Sequence, residues 1–245
     1  MIKSLRRVSA LIVYLLKPLL KQPLTFLTIV VWPMVPMIFF AVFMGREGMY
    51  YGLVGMLVTA VSFTGIYTAQ DYVFNRVLVK LQDFLVASPM KYIEYVLGES
   101  LAQLIISIPV VLIGYILLYE LNPYNILLLI PLTIVLLAGY FMLMPIGFII
   151  GSKVDDPSRV NGITNMVAII LSFFAPVYYP LDYIPPWIRL ITYIIPTTHI
   201  AQLARVILNV TKAPGLGLFG HSIAVVISSA ILYIISIKVG GWREV

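Results

Sequence analysis

Only a few side chains in this sequence could do chemistry. The chain has two histidines, His199 and His221, which could form part of a metal site, although we expect two unrelated histidines. The paired carboxylates of Asp155-Asp156-Pro157 could also bind a metal. The simpler interpretation is a helix start, because Asp favours the N-cap position and Pro the first helical position. We therefore predict no metal site.

A glycine-rich segment at residues 215–220, Gly-Leu-Gly-Leu-Phe-Gly, matches the Gly-x-Gly-x-x-Gly pattern of dinucleotide-binding loops. Such a loop needs a strand before the glycines and an acidic residue about 20 positions later. The sequence predicts neither feature. It also contains no Gly-x-x-x-x-Gly-Lys-Ser/Thr phosphate loop and no cysteine. We therefore predict no catalytic residue and no cofactor bound by this chain.

The composition explains why reactive groups are scarce. Of the 245 residues, 61% are hydrophobic and 11% are charged, whereas soluble domains carry about 25% charged residues. A water-soluble fold of this length could not bury so much apolar surface, but lipid can surround it. We therefore predict an all-α integral membrane protein.

Six charge-free stretches reach the length of about 20 residues that a helix needs to cross a bilayer. They are Leu24–Met44, Gly48–Gln70, Ser100–Tyr119, Leu121–Ser152, Val160–Leu181 and Ala213–Ile237. Asp71 lies at the end of the second stretch, and we interpret it as an interfacial residue. Because no Asp, Glu, Lys or Arg falls inside these boundaries, we expect neither a proton-coupled carrier nor an intramembrane hydrolase.

The positions of lysine and arginine predict the orientation. If both ends of the chain are cytoplasmic, only four of the 16 basic residues lie outside, which agrees with the positive-inside rule. These four are Arg46, Arg189, Arg205 and Lys212. The basic residues occupy short loops and form no single patch, so they indicate topology and exclude nucleic acid as a partner.

Residues 1–22 predict a helix that lies in the inner membrane surface. Apolar residues recur there at helical spacing, opposite Lys3, Arg6 and Arg7. The apolar positions are Ile2, Leu5, Val8, Ile12 and Leu15. A basic tail that merely flanks the first span is the alternative.

Residues 71–99 form the longest predicted cytoplasmic segment. Its apolar residues repeat at helical spacing, with Arg76, Lys80 and Asp83 on the other face. The apolar residues are Phe74, Val77, Leu78, Leu81, Phe84 and Leu85. Ser88-Pro89 predicts the start of another helix. Lipid or a partner protein must cover this apolar face, unless the helix simply caps the bundle.

Residues 180–212 contain too many prolines for one continuous helix. The prolines in question are Pro180, Pro185, Pro186 and Pro196, and Trp187 follows the middle pair. The uncharged stretch 190–204 is too short for a seventh crossing. We therefore predict re-entrant helices at the outer face, between spans five and six.

Two blocks of this sequence resemble the membrane subunits of type-2 ATP-binding-cassette (ABC) exporters. One is Leu-Val-Ala-Ser-Pro at 85–89 with Glu-Tyr-Val-Leu-Gly at 94–98. The other joins Tyr-Pro-Leu at 179–181, Ile-Pro-Pro-Trp at 184–187, Pro-Thr-Thr at 196–198 and Ala-Arg at 204–205. The six-span layout agrees with this family. Two positions depart from it, because Lys80-Leu81 stands where the family often has Gly-Thr, and Ile195 where it often has Asn.

The resemblance implies partners. Two such membrane chains, identical or merely similar, would work with a cytoplasmic dimer of ABC ATPases that holds ATP and Mg. The glycine pairs 48/52 and 147/151 give slight support for a seam between two copies. The segment 76–90 would be the element that couples to the ATPase. Its coupling residues would be Val77, Leu78, Leu81, Asp83, Phe84, Leu85, Ser88 and Pro89.

The expected function is export from the cytoplasm or the inner leaflet of the plasma membrane by a single transmembrane domain, residues 1–245. An amphipathic or lipid-like cargo would suit the aromatic and methionine side chains of the spans. The candidate path residues are Met34, Met37, Phe63, Tyr67, Phe173 and Phe174, and the outer gate is Pro180, Pro185, Pro186, Trp187 and Pro196. The alternatives are a polysaccharide or glycolipid exporter, a membrane scaffold that recruits a cytoplasmic partner, and an intramembrane enzyme.

Overall fold

A computed structural model describes residues 2–81, 88–121, 123–211 and 216–239. It is 85% helix, and these ranges contain no strand, which confirms the all-α prediction. The helices are α1 (Ile2–Leu20), α2 (Pro23–Val31), α3 (Met34–Ser62), α4 (Thr64–Val77), α5 (Tyr92–Leu121), α6 (Leu129–Lys153), α7 (Pro157–Phe173), α8 (Pro186–Thr192), α9 (Pro196–Ile207) and α10 (Gly217–Val239), with 3-10 helices at Pro123–Leu128 and Leu181–Tyr183.

The chain reverses direction inside α3. Gly45 has φ 61° and ψ −140°, a conformation that is essentially restricted to glycine. A methyl group on Gly52 would lie 2.9 Å from the Cα of Met37, and one on Gly48 would overlap the carbonyl oxygen of Phe40. A straight helix would hold these pairs far apart. The residues before and after Gly45 therefore form two antiparallel legs that pack closely.

Four helical runs in the described residues are long and apolar enough to cross a membrane, or five if a bent pair counts as one span. The four are Pro23–Val77, Ile93–Leu121, Ile126–Lys153 and Gly217–Lys238, and the bent pair is Pro186–Thr192 with Pro196–Ile207. The first run contains the reversal at Gly45, and α7 is a shorter helix of 17 residues. The count of six crossings stays a prediction.

Glycines let α4 and α6 approach each other closely within this chain. A methyl group on Gly65 would lie 2.8 Å from the carbonyl oxygen of Tyr140, and one on Gly147 would lie 2.9 Å from that of Ile66. A methyl group on Gly151 would meet the ring of Tyr72. The suggestion that the glycine pairs 48/52 and 147/151 mark a seam between copies is therefore wrong, because both pairs serve contacts inside one chain.

Helix α1 packs along one end of the bundle. Val8 and Leu11 are buried there, and Leu11 contacts a small apolar cluster formed with Tyr72, Tyr95 and Val160. Arg7 donates to the Glu94 carboxylate at 3.1 Å and to the Pro89 carbonyl at 2.6 Å. The sequence predicts Leu5 on the apolar face of this helix and Arg7 on the opposite face. In the structure Arg7 faces the bundle and Leu5 is 71% exposed, so the buried face is not the predicted one.

Two helix starts test the capping predictions. Helix α7 begins as expected, because the Asp156 carboxylate accepts from the backbone N–H groups of Ser158 and Arg159, and Pro157 is the first helical residue. The start predicted at Ser88-Pro89 is wrong. Helix α5 begins at Tyr92, where the Glu94 carboxylate accepts from the N–H of Lys91. The Ser88 hydroxyl instead accepts from the N–H of Met90 in a turn.

Candidate functional site

Two ion pairs mark one end of the bundle, which we call the ion-pair end. Arg7 pairs with Glu94, and Arg76 pairs with Asp155 at 2.8 Å while also donating to the carbonyl of Val154. These contacts bring together α1, the end of α4, the start of α5 and the α6–α7 connection. All of these segments are predicted to be cytoplasmic.

The coupling residues that the structure describes lie near this end, and Val77, Leu78 and Leu81 do not share one continuous helix. Helix α4 ends at Val77, and Lys80 has a φ of 52°, so the helix does not continue through residue 81. Leu78 is 60% exposed, whereas Val77 and Leu81 pack partly against the apolar cluster around Leu11. Asp83, Phe84 and Leu85 lie outside the described residues, as does Lys212. Ser88 and Pro89 lie beside Arg7 at the ion-pair end. The coupling role stays a prediction.

The proline-rich segment divides into two short helices. Pro186 begins α8 and Pro196 begins α9, each in the first-turn position where its missing N–H costs nothing. The two helices meet at an angle of 100°. Pro185 precedes α8, Pro180 is buried, and Trp187 is 74% exposed. The break is therefore observed where the prolines predict it, while the gate function of these residues stays a prediction.

The loop between α7 and α8 folds into the bundle. Ala175, Val177 and Tyr178 are buried, and the Tyr178 hydroxyl lies 2.7 Å from the hydroxyl of Thr59 on α3. The ring of Phe173 stacks near Tyr178, with ring centroids 6.2 Å apart. This loop anchors the region that follows to the second leg of α3.

Arg205 holds this loop in place, and its side chain packs inside the bundle, while its predicted position on the outer side stays a prediction. The side chain is fully buried in α9 and donates to the carbonyl oxygens of Pro176 at 2.6 Å and Val177 at 2.7 Å. Its guanidinium carbon lies 4.8 Å from the centre of the Tyr51 ring, which is close enough for a cation–π contact. A count of basic residues by segment cannot show that an arginine packs inside the protein.

The two histidines form a pair, so the expectation that they are unrelated is wrong. Both are buried, and their Nδ1 atoms lie 2.9 Å apart. The Nε2 of His199 lies 2.8 Å from the carbonyl oxygen of Tyr193 and must therefore carry a proton. In a neutral pair, Nδ1 of His199 then accepts from the Nδ1–H of His221. Within the described ranges, no cluster of three or more His, Cys, Asp or Glu residues could hold a metal ion.

Besides Glu94, which pairs with Arg7, two carboxylates that are not exposed lie inside the candidate spans, and they overturn the expectation of charge-free helices. Asp71 belongs to the run Pro23–Val77 and Glu99 to the run Ile93–Leu121. Glu99 is only 1% exposed, and Asp71 is partly buried. The side-chain amide of Gln103 donates to the Asp71 carboxylate. The prediction missed them because its spans were drawn to end at the first charged residue.

The candidate cargo residues do not share one surface. Met37 and Phe63 are buried in the main apolar core, and Met34 and Tyr67 pack partly against it. Phe173 and Phe174 are exposed. A cavity in the described part of the chain is lined by other residues, among them Tyr50, Tyr119 and Leu208. The cargo path stays a prediction.

Comparison with known families gives one match. The sequence model of a family described as "ABC-2 family transporter protein" matches residues 33–238. No curated protein matches the chain. The matched range contains the coupling segment 76–90, the proline-rich segment and the buried charged residues of α4, α5 and α9.

Proposed function

The chain belongs to the ABC-2 family of transporter proteins, and from this premise we propose that it carries an amphipathic or lipid-like molecule out of the cytoplasm or the inner leaflet. Its family makes it a multi-pass membrane protein and the permease subunit of an ABC transporter. An ABC ATPase is the implied partner. The family match over residues 33–238 is the observation that carries this proposal.

Six crossings are part of the proposal, with both ends of the chain on the cytoplasmic side of the plasma membrane. The reversal at Gly45 divides the run Pro23–Val77 into two legs. Helices α5, α6 and α10 supply three further crossings. Helix α7 supplies the sixth, since 17 residues span about 25 Å and the loop after it continues into the bundle. The ion-pair end would then face the cytoplasm, and α8 and α9 the outer side.

The partner ATPase would supply the energy, because no phosphate loop occurs in the sequence. ATP and Mg would be bound there and not by this chain. The exposed Leu78, which directly follows α4, offers an apolar contact at the ion-pair end. ATP binding would press on this segment and shift α4, whose close glycine contacts would carry the movement to α6.

The test is assembly with the ATPase. This chain is co-expressed with a candidate ABC ATPase, and Leu78→Asp is compared with Leu216→Asp, which alters an exposed leucine at the opposite end of the bundle. We expect both variants to accumulate in the membrane, Leu78→Asp to lose co-purification and ATP turnover, and Leu216→Asp to retain both. Full assembly and turnover in Leu78→Asp would remove the coupling assignment.

A further inference from the structure

Asp71 and Glu99 lie together just inside the ion-pair end. Asp71 precedes Arg76 on α4 by five positions, and Glu99 follows Glu94 on α5 by five, so each lies about 7.5 Å along its helix from an ion pair. Gln103 is one turn beyond Glu99 on the same face of α5 and donates to Asp71. Since Glu99 and Gln103 share one face of α5, the hydrogen bond from Gln103 also brings Asp71 close to Glu99.

One of these carboxylate oxygens has no partner. Glu99 Oε2 is buried and makes no hydrogen bond. The neighbouring hydroxyl groups are occupied elsewhere, because Tyr140 donates to the Ser100 carbonyl and the Ser100 hydroxyl donates to the Val96 carbonyl. None of the ion pairs in the described ranges involves Asp71 or Glu99.

Two acids at this depth require a positive partner or a bound proton. A buried carboxylate is costly unless it is paired, and ionisable groups kept inside membrane spans usually mark a substrate or ion site. The described residues contain no group of three or more His, Cys, Asp or Glu side chains that could hold a metal ion, so we consider an organic cation. A primary ammonium group has three N–H donors, enough to reach Glu99 Oε2, Asp71 and the amide oxygen of Gln103.

We propose that Asp71 and Glu99 form a binding site for a protonated primary amine, carried by the amphipathic cargo of this transporter. The partly exposed Asp71 marks the side from which the amine enters, and the fully buried Glu99 lies behind it. This inference rests on the proposed transport function, and it adds that the cargo is cationic and reaches the site from the cytoplasmic half of the membrane.

The test uses the complex of this chain with its ATPase in lipid nanodiscs. The probes share a twelve-carbon chain: dodecylammonium, dodecyltrimethylammonium, which has the charge but no N–H donor, and the neutral dodecanol. Methylammonium tests a free small amine. The measurement is the probe concentration that half-maximally stimulates ATP turnover. The variants are Asp71→Asn and Glu99→Gln, and the control is Glu120→Gln, an exposed acid at the far end of α5.

We expect dodecylammonium to act at a lower concentration than the other two probes on the unchanged complex. Each site variant should raise its half-maximal concentration about tenfold or more, while dodecanol changes less than about twofold and Glu120→Gln has no effect. Competition by methylammonium would support a site that recognises the amine itself. Dodecylammonium and dodecanol acting alike, or both site variants responding normally, would overturn the proposal. If the unchanged complex hydrolyses no ATP even without a probe, that result would instead count against the proposed transport function.

Discussion

Arg205 shows how much one buried side chain can organise in this protein. Its guanidinium joins α9 to the carbonyl groups of Pro176 and Val177 and covers the ring of Tyr51 on α3. Three separate parts of the chain therefore meet at one residue. A lysine could carry the charge but could not present the same planar group to the two carbonyls and the ring.

The change Arg205→Gln should destabilise the protein by about 1–3 kcal/mol, because it leaves two buried carbonyls without donors. The measurement is the thermal unfolding midpoint of the purified chain in detergent. Arg159→Gln, which removes an exposed arginine from α7, is the matched control and should leave the midpoint nearly unchanged. Equal midpoints for the two variants would show that the contacts of Arg205 carry no net stability.

The histidine pair makes a second prediction about single residues. In a double-mutant cycle, His199→Ala and His221→Ala should show a coupling free energy of at least about 0.5 kcal/mol, since their rings share a hydrogen bond. Combining His199→Ala with Ser222→Ala is the control, because the Ser222 hydroxyl bonds within α10 to the Leu218 carbonyl. If the two histidine substitutions change the free energy of unfolding additively, the direct hydrogen bond between the two rings would be contradicted.

Individual side chains could be predicted only where their partners are close in sequence. The Asp156 cap was found because its hydrogen bonds reach two and three residues along the chain. The carbonyl partners of Arg205 and the histidine partner of His199 lie 22 to 29 residues away, so no local sequence pattern predicts these contacts. Asp71 is predicted at the interface and Glu99 in the cytoplasmic segment 71–99, because a charge is taken as the end of a span.

Among the helices, the contact between α4 and α6 depends most on small residues. Gly147→Ala should lower stability by about 1–3 kcal/mol, because its methyl group would meet backbone oxygens of α4 that cannot move aside. Unfolding midpoints in detergent would measure the loss. The control is Gly162→Ala on α7, where a methyl group meets nothing within 4 Å and should stabilise the helix by about 0.4–1 kcal/mol. No loss in Gly147→Ala, or the same loss in both variants, would contradict the close packing of α4 and α6.

Helix positions were easier to predict than helix contacts. The prolines at 186 and 196 mark helix starts through their own backbone geometry, and the structure agrees. The end of α4 at Val77 was missed because the apolar repeat continues past it, while Lys80 adopts a left-handed backbone. The glycine pairs correctly predict close contacts between helices, but their spacing alone could not identify the partner helix.

For the whole molecule, the number of crossings can be measured directly. The chain has no cysteine, so single cysteines can be introduced at Ser9, Ser158, Tyr183 and Leu216. We expect a membrane-impermeant maleimide to label intact cells only at positions 183 and 216, and positions 9 and 158 only after permeabilisation. Positions 158 and 183 flank α7, so labelling of both on one side would show that α7 does not cross.

Composition and hydropathy were sufficient to predict a helical membrane protein, and the family match supports that class. The boundaries Leu24–Met44 and Gly48–Gln70 already predict a short turn between the first two spans, but hydropathy could not show that the backbone of Gly45 makes it. Nor could they show which residues line a path, since apolar side chains face lipid and protein core alike.

The turn at Gly45 also matters while the protein is being made. Because the two legs already fit each other through Gly48 and Gly52, they can enter the bilayer together as a helical hairpin soon after synthesis. A larger residue at position 45 would oppose that fold without touching any cargo or ATPase contact. Fewer protein molecules would then reach the membrane, while the transport rate of each inserted molecule would stay the same.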